Sequence, residues 1–135
     1  MVSNANVSQE VCDAFAAVTA KSLRWVICKV EPSSANISLV ASGERSNTLE
    51  QLKEHLTSDP CFVVYDFEAT RDDDSTLCKT CFITFSPDTC TNMALKFELQ
   101  NFKASVKAKI NSQKEMQIND IADFSESEFR DAFRL

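Results

Sequence analysis

Cys78 and Cys81 are separated by two residues, the spacing of a redox pair or of half a metal site. Either use needs both sulfurs on one side. The residues around them read as a strand, where positions three apart point to opposite faces, so the two thiols diverge. Zinc wants four ligands, and the nearest spare candidates are Cys90 and His55, the single histidine and distant in sequence. Asp72, Asp73 and Asp74 offer oxygens for a hard cation. No glycine or distal glutamate completes a calcium loop there, so the run reads as a solvated turn. With one glycine in 135 residues, a glycine-rich phosphate cradle is excluded. No nucleophile elbow or paired-carboxylate motif is present. The expectation is a protein that is not an enzyme, with no cofactor and no metal. The alternative from another class is a small thiol-dependent redox protein on Cys78 and Cys81, which needs an exposed sulfur of depressed pKa.

The remaining chemistry is electrostatic. Lys96, Lys103 and Lys107 step by seven and four. On a helix they fall within about 40° of arc. From Lys96 to Lys114 there are five lysines against one acid, Glu98, in a protein of net charge −6. A cationic ridge on an acidic protein suits an acidic partner. The same stretch supplies the frame: Leu95, Leu99, Phe102, Val106 and Ile110 step by four, three, four and four, one buried helical face.

The chain fits one domain, residues 1–135, able to bury about two-thirds of its unfolded surface. Ten Phe supply much of a core. The acidic balance argues against nucleic-acid binding. No signal peptide and no run of about 20 apolar residues is visible, so no transmembrane segment is expected. The six cysteines sit largely inside apolar runs, as reduced cytosolic thiols do.

Residues 1–7 read as a flexible tail. Ser8 caps a helix through Ala20 with Val11, Phe15 and Val18 on one face. Residues 22–30 alternate β-branched and aromatic side chains as a strand, and Pro32 ends it in a turn at 31–34. A shorter strand at 36–41 returns as a hairpin, and 42–46 form the glycine-bearing loop. A short helix follows with Leu49, Leu52 and Leu56 inward, ended by Asp59-Pro60. The nearly continuous apolar run 61–67 reads as a central strand covered on both faces. After a polar loop at 68–76, residues 77–85 form another strand, broken by Ser86-Pro87-Asp88. The lysine-bearing helix starts near Asn92, and 115–118 is a last strand. Ser125 with Glu128 makes a capping box, with Phe124 stapled to Phe129, on a helix over 126–133. The order predicts an α/β (α+β) fold, a central mixed five-stranded sheet flanked by helices on both faces.

In this order the segments resemble the actin-depolymerising factor/cofilin family across nearly the whole chain. Met-x-Ser opens it. Residues 61–68, CFVVYDFE, are similar to the family's CxYAxYDFE strand, one residue shorter after the Cys. Residues 82–89, FITFSPDT, resemble FxxWSPDT, and Asp123-Phe124-Ser125-Glu126 resembles TDxSE. The helix aligns from Lys96 with a KMxYASSKDAL-like run, placing Phe97 at its Met and Lys103 at the Lys after the serines. The resemblance implies a cytoplasmic, cytoskeletal, monomeric protein whose helix enters the hydrophobic cleft of actin. Ser3, Asn4, Met93, Lys96, Phe97 and Lys103 would then contact monomeric actin, and Ser3 would fall at the regulatory phosphorylation position. A phosphate there would weaken attraction to acidic actin. Phosphoinositides are a further partner that the lysine ridge and the family resemblance together imply.

The chain departs from the family in several places. Phe85 replaces the usual Trp, and Ala94 stands where a basic residue often lies. Glu98-Leu99-Gln100-Asn101-Phe102 replaces the LYASS-like run. Thr76 and Leu77 occupy the usual basic pair of the filament-binding side, leaving Lys79, with Arg130, Asp131 and Arg134 as substitutes in the terminal helix. The expected function is binding of monomeric actin and promotion of filament disassembly, with filament binding and severing weakened. Within the same fold, a glia maturation factor-like or coactosin-like regulator of branches or filament sides is the alternative.

Overall fold

The computed structural model describes residues 6–31, 36–70, 73–110, 112 and 114–133. In chain order the elements are β1 (Asn6–Val7), α1 (Gln9–Thr19), β2 (Leu23–Val30), β3 (Asn36–Glu44), α2 (Leu49–Lys53), β4 (Cys61–Thr70), β5 (Thr76–Phe85), α3 (Met93–Lys107), β6 (Lys114–Ile118) and α4 (Glu126–Phe133). A short 3-10 turn at Ile121–Asp123 precedes α4. The strands form one mixed sheet in the order β1-β3-β2-β4-β5-β6.

The expected helices on both faces follow from the period-two pattern of the central strands. Cys61, Val63, Tyr65 and Phe67 of β4 join Trp25 and Ile27 of β2 in one apolar cluster, under Leu52 of α2 and Phe129 of α4. Phe62 and Val64 point the other way, with Val26, Cys28 and Phe82, under α1 and α3. Residues 61–67 are buried throughout, as the apolar run predicts for a strand covered on both sides.

Helix entry is chemical. Ser8 Oγ accepts from Val11 N at the start of α1. Thr48 and Gln51 close a full capping box on α2. Ser125 Oγ accepts from Glu128 N at the start of α4, and the Phe124 and Phe129 rings meet edge-on.

Three expectations are corrected. The sheet has six strands, because Asn6–Val7 pairs in parallel with Asn36 and Ile37. Two residues from the end of the supposed tail are therefore strand, too short a piece to show any alternation. The glycine-bearing segment 42–46 is mostly strand, since β3 runs on to Glu44 against Leu23. The loop at 68–76 is shortened, as β4 continues to Thr70 and pairs there with Thr76. In what remains of it, Asp73 Oδ1 accepts from the backbone N and the Oγ of Ser75, a turn contact. Asp74 takes φ 65°, and Asp72 lies outside the described residues, as does most of the turn at 31–34.

Candidate functional site

Asn92 starts α3, its side chain accepting from Leu95 N at 3.3 Å. Leu99 and Val106 are fully buried against the sheet and Phe102 packs partly against the same cluster. The opposite side of the first turns is apolar and bare. Met93 and Phe97, one turn apart, are each 69% exposed. Folding alone gives no reason to hold a phenylalanine in water, so this pair is a candidate contact point. Lys96 lies on the flank between the bare and buried sides, half-buried. Among the described residues no carboxylate comes within ion-pair distance of it.

The other ridge lysines differ from the expectation of an unopposed cationic face. Lys103 Nζ lies 3.0 Å from Glu115, and Lys107 donates to the same carboxylate. Hydrogen bonds from Lys107 and then Lys103 hold the Glu115 carboxyl below the usual carboxylate range. The partner was not visible in the helix sequence because it comes from another strand. Glu115 stands opposite Phe82 in the β5–β6 register, and Phe82 faces the α3 side of the sheet.

The residues expected to touch filaments sit on the opposite face. Lys79 is half-buried and pairs in register with Phe67, whose ring stacks on Phe129 and Phe133 of α4. On α4, Arg130 Nε reaches Glu126 at 3.5 Å and Asp131 is exposed. Ser3, Asn4 and Arg134 lie outside the described residues. The sheet thus brings Met93, Lys96, Phe97 and Lys103 together on α3 and separates them from Lys79, Arg130 and Asp131.

Residues 4–134 match the family described as cofilin/tropomyosin-type actin-binding protein. The chain belongs to that family. It is an actin-binding domain of the family, whose members regulate actin and are not enzymes. Among curated proteins it is 26% identical over 107 residues to actin-depolymerizing factor 8 of Arabidopsis thaliana, covering 78% of this chain and 76% of that one. Its fold is similar to that of actin depolymerization factor 2 of Plasmodium berghei, with a TM-score of 0.84, 23% identity and full coverage of both chains. It is also similar to coactosin of Entamoeba histolytica, with a TM-score of 0.79, 20% identity, and coverage of 97% and 95%.

The structure of this cofilin-family domain also places the thiols. All six cysteines are free. Cys81 is buried, and its pKa is pushed up to about 12 by desolvation and then by the charge of Asp66. That is the reverse of the depressed thiol a redox pair requires. Among the described residues no three His, Cys, Asp or Glu side chains converge as a metal site, and no helix is long and apolar enough to cross a membrane. His55 lies against the Trp25 ring at 5.4 Å between centroids.

A polar cluster escaped the sequence reading. Asp66, fully buried, lies 2.8 Å from both Lys21 Nζ and an Arg45 guanidinium nitrogen. Arg45 and Arg24 both reach Glu68, and Arg24 lies over the Tyr65 ring. The cations come from two stretches, residues 21–24 and Arg45, both far from Asp66 in the chain. The one available signal was an aspartate inside an otherwise apolar strand, which needs a partner wherever it is buried.

Proposed function

We propose that this domain binds monomeric actin through the first turns of α3 and promotes filament disassembly and turnover, acting as a monomer in the cytoplasm and on the cytoskeleton. The observation that carries the reading is the bare apolar pair Met93 and Phe97 beside Lys96. A protruding aromatic with a thioether neighbour is suited to an apolar cleft, and an adjacent cation orients docking on an acidic surface. Lys103 lies further along the same flank, held by Glu115, and Ser3 and Asn4 complete the contact from the N-terminal tail. Phosphorylation of Ser3 would oppose binding by adding negative charge toward an acidic partner.

Filament binding and severing are proposed to be weak. Thr76 and Leu77 carry no charge, Lys79 is half-buried, and Arg130 is engaged by Glu126. Asp131 and Arg134 are then the other candidates on that side. Coactosin shares the fold, so a filament-side role is the reading to test against. The deciding measurement pairs inhibition of nucleotide exchange on monomeric actin with co-sedimentation on filaments. Inhibition of exchange that is lost in Phe97→Ala and reduced in Lys96→Ala, with weak co-sedimentation, is the expected result. Equal affinity for monomer and filament would overturn the weakened-filament reading, and strong filament binding without monomer binding would favour the coactosin-like role.

A further inference from the structure

Lys103 and Lys107, one turn apart, converge on a single carboxylate contributed by β6, that of Glu115. The Glu115 side chain is 31% exposed, so the clamp sits at the solvent edge of the α3 face. Its charge cancels half of the local positive charge. A polyanionic surface approaching this end of the helix competes with Glu115 for both ammonium groups. A partner that docks on Met93 and Phe97 meets no such competitor, because Phe97 lies six residues before Lys103, about 9 Å along the axis.

We propose that Glu115 is a specificity-determining residue of the α3 face: an internal competitor that withholds Lys103 and Lys107 from phosphate-bearing lipid headgroups. The inference rests on reading α3 as the docking face. It narrows that reading, since the first turns of α3 are apolar with one lysine, Lys96, that has no ion-pair partner among the described residues. Such a surface selects an acidic protein with an apolar cleft over a membrane carrying phosphorylated inositol lipids. Removing the carboxylate charge releases two lysines at once, while the protein-docking turns stay as they are.

The test uses the full chain and Glu115→Gln at fixed moderate ionic strength. Binding is measured to phosphatidylcholine vesicles with and without a small fraction of phosphoinositide, and separately to monomeric actin. Glu115→Gln should bind the phosphoinositide vesicles about tenfold more tightly, as two freed lysines near an anionic membrane imply. The gain should be absent from vesicles lacking phosphoinositide and should vanish when Lys103→Gln and Lys107→Gln are added. In the otherwise unchanged chain, the Lys103→Gln/Lys107→Gln pair should cost less vesicle affinity than the same pair costs in Glu115→Gln, because there Glu115 competes for both ammonium groups. Unchanged vesicle affinity in Glu115→Gln would overturn the proposal. So would an equal loss from the Lys103→Gln/Lys107→Gln pair in the two backgrounds, the mark of charge counting without competition. The actin measurement is read independently. Absence of actin binding by the unchanged chain, with the vesicle gain intact, would sink the proposed function and leave the role of Glu115 standing.

Discussion

Gly43 lies directly beneath the indole of Trp25. The two residues pair across β2 and β3, and a Cβ built on Gly43 would lie 2.7 Å from Trp25 Cζ2 and closer still to its Cε2 and Nε1. The backbone there is not left-handed, so space alone accounts for the glycine. It is also the chain's one glycine. Gly43→Ala should therefore destabilise the fold, by about 1–3 kcal/mol if the indole can shift and more if it cannot. Urea unfolding followed by Trp25 fluorescence reads both the loss and any movement of the ring. A stability equal to that of the parent would show that the indole has room that the packing denies.

Asp66 is a charge inside the sheet, tolerated because Lys21 and Arg45 both reach it. Asp66→Asn keeps the shape and removes the charge, leaving two cations facing a neutral amide. The expected cost is about 3 kcal/mol, the low end for a broken buried pair because both cations keep some contact with water. Lys21→Met should cost less than Arg45→Met, since Lys21 is 48% exposed against 26% for Arg45. The order of the two midpoints in urea checks the assignment.

For partner binding, Phe97→Ala should weaken the affinity for monomeric actin by about 2 kcal/mol, as removal of a docked aromatic does. Lys96→Ala should cost about 1 kcal/mol, the scale of a charge at an interface rim. Neither should lower thermal stability, because one side chain is largely exposed and the other carries no intramolecular ion pair among the described residues. Titration against the inhibition of nucleotide exchange gives both values.

The clamp at Glu115 has a pH signature. Its folded-state pKa is depressed below the ordinary value of 4.5 by its two lysine partners. A depressed carboxyl contributes stability that is present above its unfolded pKa and is lost as pH falls through the folded one. The gap in stability between the parent and Glu115→Gln should thus be about 0.5 kcal/mol at neutral pH, as expected for partly exposed pairs. Below roughly pH 4 it should close. Unfolding midpoints collected from pH 7 down to pH 3 test this, and a gap that widens in acid would contradict the assigned sign.

The thiols make a simple check of the core. Burial pushes the Cys28 and Cys61 thiols up, Cys61 to about 12, and Cys81 to about 12 as well. These three should be silent toward a thiol reagent at neutral pH until the chain unfolds. Cys12 and Cys78, half-buried, should react first. Early modification of Cys81 would mean that the β5–β6 end of the sheet opens readily.

Local rules carried much of this protein. The apolar steps of α3, the caps at Ser8 and Ser125, and the two-sided strand at Cys61–Phe67 follow from periodicities and side-chain chemistry confined to a few neighbouring residues. The family was legible too, because its segments keep their order along the chain. What the sequence could not determine was decided by residues far apart in sequence that meet across the sheet. Strand β1 exists because Asn36 and Ile37 offer an edge to pair with. Asp66 Oδ2 is paired with cations from Lys21 and Arg45, neither of them near it in the chain. The lysine ridge reads as free charge in one dimension. Only the β5–β6 register turns Glu115 toward α3 and leaves Lys96, with Met93 and Phe97, as the open part of the face.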